Sequence, residues 1–201
     1  MNTNYFYDYV SSLERVLSSG YKYKYSLDVI EKRISKSSYF QKIENDKQVF
    51  TPIITDSLLV DSIFSDIHID LDKVDEYKQT SWAAESYMHI QNETGLTFEA
   101  ILIVFPISKM YHCFDIYHEM DFSQIISLFN KTFEKESILS ILMKRYNFSA
   151  DYVSKELNIS KQTIYSLKQR KRNIQKCNVD TVISLARLFK VRLETIAEIR
   201  F

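Results

Sequence analysis

Only two glycines and two prolines (Gly20, Gly95, Pro52 and Pro106) interrupt the 201 residues of this chain. Tight β-hairpins need residues that accept positive φ, and β-rich folds need both residue types often, so the shortage directs the chain toward helices. Hydrophobic residues make up 45% of it, which argues for a real core and against wholesale disorder. The densest apolar run, Ala100 to Pro106, is too short to span a membrane. Met1 to Tyr5 lacks the basic-then-apolar order of a signal peptide. Cys113 and Cys177 stand far apart and outside any CxxC pair, as expected of reduced thiols. The expectation is a cytoplasmic chain without a membrane partner.

The net charge is zero but unevenly spread. Residues 136–201 hold thirteen Lys/Arg against six Asp/Glu, and residues 1–135 hold thirteen against twenty. Such asymmetry predicts two functional parts, of which the basic one meets a polyanion. Three regions follow: a helical segment 1–64, an acidic and aromatic-rich middle 65–134, and a basic domain 135–201.

The basic domain reads as five short amphipathic helices. Ile138, Ile141 and Leu142 set the first at helical spacing. Ser149 is a candidate N-cap for the second, which runs to about Leu157, and Asn158 suits the left-handed residue of a sharp turn. Ser160 caps the third, with Ile164 and Leu167 facing inward. After the basic loop from Lys168 to Arg172, Asn178 caps a fourth helix striped by Val179, Val182, Ile183, Ala186 and Phe189. Leu193, Ile196 and Ala197 mark a short fifth.

The stretch FSADYVSKELNISKQTIYSLKQRKR, followed by VDTVISLARLFKVRLETI, resembles the Cro/C1 (XRE) helix-turn-helix regulators over about a third of the chain. The resemblance implies a mainly α fold with a five-helix, lambda-repressor-like domain at residues 135–201. It also implies a bacterial, phage or mobile-element regulator of transcription whose partner is double-stranded DNA, with the third helix, residues 160–169, in the major groove. Mapped by inward Ile164 and Leu167, the base-reading positions are Lys161, Gln162, Tyr165 and Ser166. Lys donates to guanine O6/N7 and Gln pairs with adenine N6/N7. Ser160, Thr163, Lys168, Gln169, Arg170, Lys171 and Arg172 are the expected phosphate contacts, which give affinity and register rather than sequence reading. Two departures stand out. Lys168 and Arg170 occupy the places where the family usually has Glu and Gly, and the loop before the fourth helix is about three residues longer.

The first 64 residues carry a fainter likeness. A helix with Tyr9, Val10, Leu13, Val16 and Leu17 is expected to end near Gly20, a favoured residue just past a helix end. The run S-Y-F-x-K-I-E within residues 38–44 is similar to the third helix of the Rgg-like branch. It implies a degenerate second helix-turn-helix, with Lys36, Ser37, Ser38, Gln41 and Lys42 as its DNA-facing residues. The usual Gly after Glu is replaced by Asp46.

The middle resembles no family. Residues 66–76 alternate and permit a short strand or an acidic linker. Trp82 to Ile90 reads as a helix with Trp82, Ser86, His89 and Ile90 near one face and Glu85 outward. Phe98 to Phe105 reads as core, broken by Pro106. Met110 to Met120 fits strand or helix, and Asp121 caps a helix carrying Phe122, Ile125, Ile126 and Phe129. Aromatic density here points to a packed core with a partner surface.

His112, Cys113, His118, Glu119 and Asp121 are metal-capable, but their spacing fits neither HExxH nor a zinc CxxC pair. Packing histidines and a buried thiol are the expected roles. No glycine-rich phosphate loop or nucleophile elbow is present, so neither enzyme activity nor a cofactor is expected. Two functions compete. One is a homodimeric repressor-type regulator. The other is a protein that inhibits a host partner through residues 1–134 and uses its helix-turn-helix for autoregulation.

Overall fold

The computed structural model describes residues 3–45, 56–64 and 78–201. Thirteen α-helices lie within them. The N-terminal group is α1 (Thr3–Lys22), α2 (Leu27–Lys36), α3 (Ser38–Asn45) and α4 (Asp56–Ile63). The middle group is α5 (Lys78–Thr94), α6 (Phe98–Val104), α7 (Ile107–Tyr117) and α8 (Phe122–Lys135). The last group is α9 (Ile138–Arg145), α10 (Ala150–Leu157), α11 (Lys161–Lys168), α12 (Val179–Phe189) and α13 (Leu193–Ile196).

Helix α1 buries Phe6, Tyr9, Val10, Leu13, Val16 and Leu17, a stripe at three- and four-residue spacing, and lays it along α5. Helix α5 differs from its one-faced reading. Trp82, Ala83, Ala84, Ser86, Tyr87, Met88 and Ile90 are all buried, so it is enclosed on most sides. Its small residues let α1 approach closely, and the Ser18 and Thr80 hydroxyls meet there at 3.0 Å. His89 is half-buried and lies between the rings of Phe6 and Phe122. Glu85, the outward residue of the sequence reading, is half-buried beside it.

Gly20 is not a helix terminator. It lies inside α1, where a Cβ would stand 2.6 Å from Ile30 Cδ1 and 2.7 Å from Ile30 Cγ1. The glycine therefore lets α2 pack against α1, a long-range need that its local sequence does not announce. We expect Gly20→Ala to destabilise the protein by about 1–2 kcal/mol: overpacking costs about 1–3 kcal/mol, and better helix propensity returns up to about 1 kcal/mol. Thermal denaturation should show a Tm lower by about 2–8 °C. An unchanged or raised Tm would mean that Ile30 yields at no cost.

Helix α6 is the hub of the molecule. Phe98 and every residue from Ala100 to Val104 are buried, and the helix touches α2, α3, α5, α8, α9 and α13. Two buried glutamates tie the N-terminal group to the middle. Glu44 on α3 accepts the Phe98 N–H at 2.5 Å, at the start of α6. Glu31 on α2 accepts the Ile107 N–H at 2.7 Å, at the start of α7. Helix N-termini leave unpaired donors and positive dipole ends, so a carboxylate suits both places. Burial nevertheless pushes both carboxyl pKa values up. Pro106 separates α6 from α7, and the chain bends by 72° there.

The short strands entertained between residues 66 and 120 are absent among the described residues. Residues 66–76 lie outside those described. The 110–120 stretch is helical as far as Tyr117, because burying Ile107 and Met110 and setting Phe114 against Trp82 needs helical spacing. Among the described residues the one extended pairing is an antiparallel bridge between Leu96 and Arg200, closed by the Phe201 N–H on the Gly95 carbonyl at 2.8 Å. Asp121 caps α8 through the Ser123 N–H at 2.8 Å. Among the described residues no single helix is long and apolar enough to cross a membrane.

Candidate nucleic-acid interface

Local chemistry builds the α10–α11 pair. The Ser149 hydroxyl accepts the Tyr152 N–H at 3.0 Å and starts α10. Asn158 ends it in the left-handed region, with φ 52° and ψ 41°. The Ser154 hydroxyl donates to the Ile159 carbonyl at 2.6 Å and braces the turn. Ser160 then accepts the Thr163 N–H at 3.1 Å and starts α11. Ile164 and Leu167 point into the core. Asn178 caps α12 through the Asp180 N–H at 3.0 Å.

These inward anchors turn the opposite side of α11 to solvent. Lys161, Gln162 and Tyr165 are exposed, and Ser166 is half-buried with its hydroxyl on the Gln162 carbonyl at 2.8 Å. Among the described residues the Gln162 side-chain amide has no protein partner. Lys161 is less free. Its ammonium lies 2.6 Å from the Asp151 carboxylate and 5.9 Å from the Tyr165 ring centre. The bond to Asp151 raises its pKa. Helical spacing gives no sign of this pairing, which crosses the turn between α10 and α11.

The phosphate candidates divide. Ser160 and Thr163 hold each other through hydroxyls 2.8 Å apart. The Lys168 side chain is half-buried and Gln169 is exposed at the helix end. Arg170 turns inward. It adopts φ 54°, the conformation that a glycine at this place would give the turn. Its guanidinium pairs with Glu198, donates to the Phe133 carbonyl at 3.0 Å and lies 4.4 Å from the Phe133 ring centre. Glu198 also accepts the Ile138 N–H at 3.0 Å, so this one ion pair fixes both the turn after α11 and the start of α9. Lys171 and Arg172 remain exposed.

The longer loop takes a defined path. The Arg172 N–H bonds the Ser166 carbonyl at 3.2 Å. A single 3-10 turn follows at Ile174–Lys176, and Gln175 donates to the carbonyls of Ala197 and Glu198 at 3.1 and 3.2 Å. Lys144 lies on the same side of the domain as Lys168, around Glu136, which it meets at 2.5 Å.

The N-terminal residues are arranged otherwise. Lys36 ends α2 and Ser38 begins α3, so Ser37 alone joins them, extended at ψ 122°. The α10–α11 turn instead has three residues and a left-handed Asn158. Lys36, Ser38 and Lys42 are exposed, and Gln41 donates to the Ser35 carbonyl at 3.2 Å. Lys36, Ser37 and Ser38 edge a 550 Å³ groove with Lys32 and Arg33. Asp46 lies outside the described residues.

Among the described residues no three His, Cys, Asp or Glu side chains gather as a metal ion needs. His112 and His118 bond the carbonyls of Ser108 and Phe114, each one turn back along α7. Cys113 is half-buried, and burial raises its thiol pKa.

No curated protein and no solved structure matches the chain. Residues 139–201 match the family model of the Cro/C1-type HTH DNA-binding domain, and α9 to α13 therefore form a DNA-binding domain of that type.

Proposed function

We propose that the protein is a repressor-type transcriptional regulator that reads the major groove of double-stranded DNA with α11. The observation that carries this is the uncovered outer row of α11, Lys161, Gln162 and Tyr165, flanked by exposed Lys171 and Arg172. In this reading Gln162 pairs with an adenine edge, and Lys161 exchanges Asp151 for a guanine. Ser166 stands on the same row. Ser160, Thr163, Lys168, Gln169, Lys171 and Arg172 meet phosphates. Arg170 instead holds the loop that presents them. Two copies on a palindromic site would set their reading helices about 34 Å apart. The face of the domain made by α9 and α13 is covered by α6, so this pairing uses another surface.

The test uses two variants of the full chain on DNA flanking its own gene. Gln162→Ala should lose about 1–3 kcal/mol of discrimination between the best site and a mutated one. Lys171→Ala should weaken binding to both alike and reduce the slope of log K against log salt by about 0.9. Wild-type discrimination in the Gln162 variant would sink the assigned readout.

A further inference from the structure

A cleft of about 300 Å³ lies between the starts of α9 and of the 170–175 loop, the end of α11 and the end of α13. We propose that it binds a small organic anion, a compact apolar body bearing a carboxylate or phosphate, and that the bound anion draws Arg172 away from DNA. The site stands on its own geometry, whereas its consequence for DNA rests on the function proposed above.

The cleft has two kinds of wall. Leu139, Leu167 and Ile196 are almost fully buried and, with half-buried Ile174, give it an apolar floor. Arg172 and Arg200 stand at its edge. Three arginines reach this cleft, and Glu198 neutralises Arg170. Among the described residues Arg172 and Arg200 have no acidic partner; Arg200 lies 5.9 Å from the Phe133 ring centre. Two guanidinium groups without counter-ions over an apolar floor match a ligand with a greasy body and an anionic end, because the guanidinium fork pairs with carboxylate and phosphate oxygens in a two-point fashion. The volume sits at the lower limit of small-molecule sites, which favours a one-ring compound over a dinucleotide.

Arg172 links this cleft to the reading head. Its backbone N–H holds the Ser166 carbonyl on α11. A guanidinium paired with the bound anion has its charge offset and fewer N–H donors left for a DNA phosphate. Anion and DNA therefore oppose each other, and by linkage each weakens the other by the same factor. The protein would release its operator when the anion accumulates.

Calorimetric titration of the full-length protein without DNA tests the site, with benzoate and phenyl phosphate as probes and benzyl alcohol as the neutral control. Saturable binding of an anion, with the neutral control about tenfold weaker or more, is expected. Arg200→Ala, at an exposed position, should weaken the anion by about tenfold while leaving DNA affinity in the absence of the anion unchanged. An anion concentration that just saturates the wild type should then lower its DNA affinity more than that of Arg200→Ala, which the same concentration only partly fills. Failure of both anions to bind, or equal binding to Arg200→Ala, overturns the proposal. So does a lower DNA affinity and salt slope in Arg200→Ala without anion, which would make Arg200 a backbone contact. Anion binding without any DNA binding would sink the regulator reading and leave the cleft standing.

Discussion

Replacing Arg192 with alanine is expected to destabilise the protein by about 3–5 kcal/mol at neutral pH, the cost of leaving one partner of a buried pair charged and alone. Arg192 precedes α13, and its guanidinium reaches Glu44 on α3 at 2.5 Å. Its backbone N–H donates to Glu99 on α6 at 2.8 Å. Glu44 is almost fully buried and also holds the first N–H of α6, so it cannot turn to water without uncapping that helix. The pH dependence follows from Glu44. Burial raises its carboxyl pKa, and Arg192 is the group that pulls it back down. Without Arg192 the pKa rises further. A raised carboxyl pKa means that the folded state holds the proton more tightly than the unfolded chain, so stability falls as pH rises through the window above the ordinary value. The deficit of Arg192→Ala should therefore be largest near pH 7 and shrink as Glu44 takes up a proton in mild acid. Urea denaturation followed by circular dichroism at pH 7 and pH 5 measures this. A small deficit that does not change with pH would show that Glu44 is not held as a buried charge.

Gly95→Ala should cost about 2–4 kcal/mol. The residue ends α5 at φ 66°, where an L side chain is strained by about 1–2 kcal/mol. A Cβ there would also stand 2.6 Å from the Phe201 carbonyl oxygen and 3.1 Å from its nitrogen. These are backbone atoms, held by the Phe201 N–H on Gly95 itself and by the Leu96–Arg200 bridge, so relief requires the last residues to leave. Hydrogen exchange should show faster exchange at the Phe201 amide, and urea denaturation should show a lower midpoint. Wild-type stability would mean that the chain end does not pair with Gly95 in solution.

The caps of the DNA-binding domain were legible in the sequence because they are local. Ser149, Ser160 and Asn178 each bond an N–H two or three residues ahead, and Asn158 needs only its own left-handed conformation. The inward positions of α11 followed from spacing alone. What escaped the sequence depends on distant partners. Glu44 and Arg192 are 148 residues apart, and nothing near either one announces the other. Gly20 has an ordinary helical neighbourhood and is required only because Ile30 comes to rest on it. Arg170 carries the charge of a phosphate contact, but Glu198 and the Phe133 carbonyl claim its guanidinium. Its place in a position usually held by glycine was the available clue. Helix α5 read as one-faced because its alanines are weak hydrophobic signals, although packing buries Ala83 and Ala84 fully, along with Tyr87 and Met88.

The burial of α6 against both α3 and α13 has a mechanical consequence. A reading head on a flexible tether samples many spans and tolerates varied operator spacing. Here α6 packs in one core with α3, α9 and α13, so in the reading proposed above the head and the body would turn together. A dimer built through the body would behave as a fixed calliper, and inserting or deleting single base pairs between half-sites should be punished steeply.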